Sequence, residues 1–322
     1  MIARLLAVLF AALLLAAPAR ASYPEFRLPD DLAARRVIFL SEGTPLVGHI
    51  VQSKTQSGAR LPTVILCQGT GGLQHYHLAQ ATTFARAGYT VMTFDYRGWG
   101  ESRGRLVPVD MTARPRRDSQ PSSVQAIEVR ETVDPWEQTF DTLAAIAFAM
   151  GEPEVDPSRL GLWGTSLGAT IAMQATLFDA RMKAVVVQAG AYDVRRPGAS
   201  IEEARDMATR RAHGQLPYPP PQPRVQGQLH GYQIRERYQT FAPIEDLPRL
   251  AGRNPQPAVL ILDAANDELF DIRQHGLRLH DRLTHPKKRV VIPNIRHYGV
   301  YSGEGLEQAR KLAVDWYNSN LR

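Results

Sequence analysis

Gly161-Leu-Trp-Gly164-Thr165-Ser166-Leu167-Gly168-Ala169 is the stretch on which the fold turns. Residues 160–164 form a short apolar run that reads as a strand, and residues 166–178 form a run of small residues that reads as a helix. Between them stands Gly-x-Ser-x-Gly. A turn that tight from strand into helix requires glycines beside it and lifts the serine clear of the sheet. Ser166 also opens the helix, where free N–H groups and the helix dipole favour developing negative charge. Ser166 is therefore read as a nucleophile, which accommodates the N-cap role that serine commonly fills.

Outward from this turn, strand and helix patterns alternate. Strands are expected at residues 36–40, 46–52, 61–67, 90–96, 184–188, 258–262 and 289–293. Helices are expected at 75–87, 136–150, 273–283 and 306–321, the second amphipathic with Phe140, Leu143, Ala144, Ala147 and Phe148 at helical spacing and the last with Ala309, Ala313 and Trp316 inward. Leu61-Pro-Thr-Val-Ile-Leu-Cys67 is continuously apolar, as a strand covered on both faces must be. The pattern predicts an α/β fold: a mostly parallel sheet flanked by helices on both faces. Two segments break the rhythm. Residues 105–134 are polar with little periodicity, and residues 194–254 contain a proline-rich stretch around Tyr218; the latter is expected to form a cap over the site.

The chain has 322 residues, 44% hydrophobic and 22% charged, with a formal charge of +6 that is too thin a surplus for a nucleic-acid binder. The lone Cys67 excludes an intrachain disulfide and a cysteine-based metal cluster, and is read as a small buried hydrophobe. Arg4, the uncharged residues 5–17, Pro18 and Ala19-Arg20-Ala21 have the form of a secretory leader, with cleavage expected after Ala21. The apolar run is too short for a lasting membrane anchor, so residues 22–322 are expected to be exported, to the periplasm or beyond.

A serine nucleophile needs a base, and the base an orienting carboxylate. His297 follows the last strand on a loop at the sheet's carboxyl edge. His275, His280 and His285 fall on or beside a helix, and His75 and His77 are read as surface residues, since two such ligands with no third make no metal site. For the acid, Val259-Leu-Ile-Leu-Asp263-Ala-Ala-Asn-Asp267-Glu268-Leu-Phe and Asp271 offer four candidates. Asp263 still belongs to the strand and Asp271 suits a helix cap; Asp267, in mid-loop, is preferred, with Glu268 in reserve. An oxyanion needs two backbone N–H donors. Leu167 supplies one, and Thr70, in the glycine loop Gln68-Gly-Thr-Gly-Gly72, the other. That loop does not spell a dinucleotide fingerprint. Asp95 and Arg97, in Phe94-Asp-Tyr-Arg-Gly-Trp-Gly-Glu-Ser102, are read as ties within a turn, and Trp99 as a residue lining the pocket.

Taken together, Gln68-Gly-Thr-Gly-Gly72, Phe94–Ser102, Gly164-Thr-Ser-Leu-Gly168, Asp267-Glu-Leu-Phe and His297-Tyr-Gly-Val-Tyr resemble the α/β-hydrolase superfamily, more narrowly its dienelactone-hydrolase and S15-peptidase-like esterases. The resemblance implies the α/β-hydrolase fold with a cap insertion, triad roles for Ser166, Asp267 and His297, and oxyanion roles for Thr70 and Leu167. It implies a secreted serine hydrolase acting on a small-molecule ester or acyl substrate with no cofactor and no metal. An amidase or peptidase, an acyltransferase with the same triad, and a catalytically silent binding protein on the same scaffold are the alternatives. The chain departs from many relatives in having Gln68 where they have histidine, a residue that braces the oxyanion loop.

Overall fold

A computed structural model describes residues 23–110, 123–195, 200–218, 231–284 and 286–321. The expected leader (1–21), the basic run at 114–117, much of the proline-rich stretch around 219–223 and His285 lie outside the described residues. The elements run β1 (Leu32–Ser41), β2 (Thr44–Ser53), β3 (Leu61–Cys67), α1 (Leu78–Arg86), β4 (Thr90–Phe94), β5 (Leu106–Pro108), β6 (Ala126–Glu128), β7 (Thr132–Val133), α2 (Pro135–Ala149), β8 (Val155–Thr165), α3 (Leu167–Phe178), β9 (Met182–Gln188), α4 (Ile201–Ala212), β10 (Tyr232–Gln233), α5 (Arg235–Tyr238), α6 (Pro243–Asp246), β11 (Ala258–Ala264), α7 (Arg278–Arg282), β12 (Lys287–Ile292) and α8 (Gly303–Asn320).

Among the described residues, eight strands form one sheet in the order β1-β2-β4-β3-β8-β9-β11-β12. The β1–β2 and β2–β4 pairs are antiparallel and the remaining pairs parallel. Successive side chains of a strand point to opposite faces, so each central strand feeds two cores. Ile65 and Cys67 of β3 join Ala145, Ile146 and Ala172 of α2 and α3 on one face. Val64 and Leu66 join Phe84 of α1 and Ala309, Ala313 and Tyr317 of α8 on the other. Cys67 is fully buried, and burial pushes its thiol up to about 12, which leaves it an inert core residue.

One expectation needs correction. The helix expected at 136–150 is present as α2, but Phe140 and Ala147 are exposed, and beside the apolar Ala145, Ile146 and Ala149 it buries the polar Glu137, Gln138, Asp141 and Thr142. The cause is Arg97, in the turn after β4, which is itself buried and grips Asp141 through two hydrogen bonds from Nε (2.9 Å) and Nη2 (2.7 Å). It also reaches Ser41 at 2.9 Å and Glu42 at 3.2 Å, while Glu137 is held by Arg105. The helix expected at 273–283 is present, opening with a wide turn at Arg273–Leu277 that runs directly into α7. The polar segment 105–134 carries short strands among its described residues. β5 and β6 form a hairpin in it, and β7 pairs in parallel with β10 from segment 194–254, Thr132 opposite Tyr232 and Val133 opposite Gln233. The described parts of the two insertions are therefore joined by this short ladder. They rest on α2 and α3, where Trp136 donates to Thr240 at 3.1 Å, packs edge-on to Phe241 at 5.0 Å, and Gln174 donates to Asp246 at 2.8 Å.

Asp95, beyond the end of β4, ties this turn to the glycine loop after β3. Its Oδ1 accepts the backbone N–H of Gln74 at 2.8 Å and its Oδ2 that of Glu101 at 3.2 Å. Burial pushes its carboxyl up to about 6 against those hydrogen bonds.

Two outcomes follow. Asp141→Ala, which strands a buried Arg97, should lower unfolding free energy by about 3–5 kcal/mol in urea titration; a loss below about 1 kcal/mol would contradict the buried pair as an anchor. For Asp95 the folded state holds its proton more tightly than the unfolded chain, so the contribution is present below about pH 4 and disappears as pH rises through about 6. Across that window the parent should lose stability relative to Asp95→Asn; parallel pH profiles would refute the assignment.

Candidate active site

The turn from β8 into α3 sets the site. A Cβ on Gly164 would lie 2.1 Å from the carbonyl oxygen of Gly168, and one on Gly168 would lie 2.3 Å from that of Cys67. Both positions must be glycine for β8, α3 and the end of β3 to approach so closely. Ser166 takes the strain in between, at φ 57° and ψ −127°, a region L-residues seldom occupy. Its own N–H is tied to the carbonyl of Gln188 at the end of β9, 2.9 Å away, which holds the turn against the neighbouring strand.

Ser166 Oγ lies 3.1 Å from His297 Nε2, and His297 Nδ1 lies 2.9 Å from Asp267 Oδ2. The two latter side chains are each 1% exposed. Asp267 Oδ1 also accepts the N–H groups of Leu269 and Phe270, both at 2.9 Å. Burial alone would raise its carboxyl, but the His297 hydrogen bond and these N–H groups prevail and hold it below the ordinary carboxylate range. An ionised Asp267 accepts a hydrogen bond from the Nδ1–H of His297, which leaves Nε2 to accept from the serine hydroxyl.

The other carboxylates are engaged elsewhere. Glu268 Oε2 accepts the backbone N–H of His297 at 2.8 Å, a brace for the loop, and that hydrogen bond lowers its pKa. Asp263 pairs with Arg289 at 2.6 Å, and burial pushes it up to about 6. Asp271 accepts the N–H of Arg273 at 2.9 Å. Ring edges surround the imidazole: Phe270 and Tyr298 each lie 5.2 Å from His297, nearly perpendicular.

Leu167 is the first residue of α3, and Thr70 follows Gly69, where an added Cβ would lie 3.8 Å from Ser166 Cβ. No hydrogen bond among the described residues uses the N–H of either Leu167 or Thr70. Gln68 braces this loop from below, its amide donating to the carbonyl of Phe94 at 3.1 Å. Trp99, expected to line the pocket, is instead 3% exposed: its indole lies flat under Gly72 and donates to Thr132 at 2.9 Å, so it is a floor for the glycine loop. His77 is likewise corrected. It is buried, edge-on to Trp163 at 5.0 Å, and burial lowers it to about 3, so it is a neutral core residue. Sequence reasoning missed the bracing by Glu268 and Gln188, whose only signal was their adjacency to the site's own turns.

The model of the α/β hydrolase fold matches residues 62–216. Over 87% of this chain and 95% of its own length, a polyketide transferase (claH) of Penicillium crustosum is 23% identical. The thiohydrolase aneE of Aspergillus aculeatus is 22% identical over 90% of each chain. The solved structure of DcsB in complex with its substrate analogue superposes with a TM-score of 0.68 at 18% identity, covering 89% of this chain and all of that one. Sheet order, the Gly-x-Ser-x-Gly turn and these matches agree, and the chain has the α/β-hydrolase fold.

Proposed function

We propose that the protein is an exported serine hydrolase that cleaves carboxylic esters of small molecules through an acyl-enzyme on Ser166. The observation that carries this reading is the continuous relay from Ser166 Oγ through His297 to the buried Asp267, at 3.1 and 2.9 Å. Ser166 Oγ attacks the acyl carbon as His297 Nε2 takes its proton; the same nitrogen returns that proton to the leaving alcohol as the tetrahedral intermediate collapses. A water activated by His297 then attacks the acyl carbon and releases the acid. Asp267 keeps the imidazole oriented and stabilises its positive charge. The N–H groups of Leu167 and Thr70 receive the oxyanion, and the α3 dipole adds to their effect.

The relative described as a polyketide transferase favours a second reading, acyl transfer to an alcohol acceptor. It shares every step up to the acyl-enzyme and differs only in what attacks it. For export, residues 1–21 act as a leader removed before Ser22.

Turnover of p-nitrophenyl esters from acetate to palmitate tests the reading. Ser166→Ala should lower kcat by about 10⁴-fold or more, and Asp267→Asn by about 10⁴-fold. Wild-type protein should take up a fluorophosphonate label that Ser166→Ala refuses. A folded wild type that neither turns over esters nor takes the label would overturn the hydrolase. Acyl transfer predicts that added alcohol diverts product from acid to ester. N-terminal sequencing of the exported chain should begin at Ser22; a retained Met1 would refute the leader.

A further inference from the structure

Tyr301 closes the short helical turn that begins at His297. Its ring is held in place by packing with Ala189, Ala264 and Val300, and it lies 6.3 Å from the ring of Tyr298. Its hydroxyl approaches the glycine loop. The point that a Cβ on Gly69 would occupy lies 3.8 Å from Tyr301 Oη and 3.8 Å from Ser166 Cβ, so the phenol and the nucleophile converge on the same bare backbone. Gly69 immediately precedes Thr70, and the absence of a side chain there leaves the hydroxyl unshielded from the reacting carbon. No hydrogen bond among the described residues uses that hydroxyl. The buried hydroxyls of Tyr317 and Tyr89 are bonded to Leu162 and Asn318 at 2.6 and 2.7 Å, whereas those of Tyr96 and Tyr192 are sealed in the core without a hydrogen-bond partner among the described residues; that of Tyr301 faces the glycine loop. The fixed ring and the uncommitted, partly accessible O–H leave this phenol free to donate to a molecule bound at the glycine loop.

We propose that Tyr301 is a further catalytic residue, whose hydroxyl donates a hydrogen bond to the substrate's carbonyl oxygen as it becomes the oxyanion. This rests on the ester-hydrolase reading of Ser166. The phenol keeps its proton throughout; burial of the hydroxyl, with the nearby Tyr298 and Asp267, raises its pKa and keeps it a donor across the working range. The bond strengthens as charge builds on the oxygen, so its effect falls on kcat and not on ground-state binding. The ligand chemistry it reads is a carbonyl or phosphoryl oxygen in the act of gaining charge.

Tyr301→Phe keeps the ring and removes only the donor. Its kcat on a p-nitrophenyl ester should fall on the order of 10- to 100-fold, at or below the loss for a principal oxyanion donor, with KM within twofold. The rate of Ser166 labelling by a fluorophosphonate, whose phosphoryl oxygen takes the oxyanion's place, should fall in parallel. A role confined to packing would leave kcat and labelling within twofold of wild type, and that result overturns the proposal while the hydrolase stands. A rise in KM alone also overturns it. If wild type itself neither turns over esters nor labels, the hydrolase reading fails and this role goes with it.

Discussion

Every functional distance in the molecule depends on one close approach, the contact between β8, the first turn of α3 and the end of β3. Backbone touches backbone there, with the Gly164 Cα facing the Gly168 carbonyl and Gly168 facing Cys67. Because no side chain intervenes, Ser166 is forced into a left-handed conformation that ordinary residues avoid, and the sheet and helix on either side hold it there. The same contact brings the N-terminus of α3 beside the glycine loop after β3. Candidate nucleophile and candidate oxyanion donors are thus fixed relative to each other by this packing and by the Ser166 N–H bond to Gln188. His297 and Asp267 reach the serine from β12 and β11, two strands whose parallel register with each other and with β9 sets the height at which their loops emerge.

A second layer keeps the loops in place. Asp95 holds Gln74 and Glu101, Trp99 lies beneath Gly72, Gln68 reaches the carbonyl of Phe94, and Glu268 holds the N–H of His297. Below these, the buried Arg97–Asp141 pair fastens the turn after β4 to α2. Polar side chains so deep in a protein cost desolvation and are tolerated because each finds a partner of fitting geometry. They add little net stability, yet they restrict where three loops can sit, and the site requires that restriction.

The sequence made the central sheet legible because its strands are covered on both faces and so are written as unbroken apolar runs; β3 was expected and observed at Leu61–Cys67. Ser166 was legible because the turn it occupies demands glycine at fixed offsets, and Asp267 and His297 because they follow strands on adjacent loops. The inward face of α2 was not legible. Periodicity registers apolar side chains, whereas this helix buries Glu137 and Asp141 to meet arginines contributed by the turn after β4, a partnership made only in three dimensions. His77 escaped for a similar reason: an imidazole in an edge contact with Trp163 has no local sequence signature. The pairing of two insertions was equally invisible, since each contributes only two residues to the ladder.

That short ladder has a bearing on how the chain acquires its structure. Thr132 and Tyr232 meet across α2, β8, α3, β9 and α4, so the stretch between them must be synthesised and largely folded before the ladder can close. Contacts of such long sequence separation form late, because closing the loop costs entropy that only a preformed scaffold offsets. The β7–β10 ladder therefore closes late in folding. Its residues can change with less effect on the folding nucleus than any in the sheet, and a fold of this kind can exchange one substrate for another while its serine stays where it is.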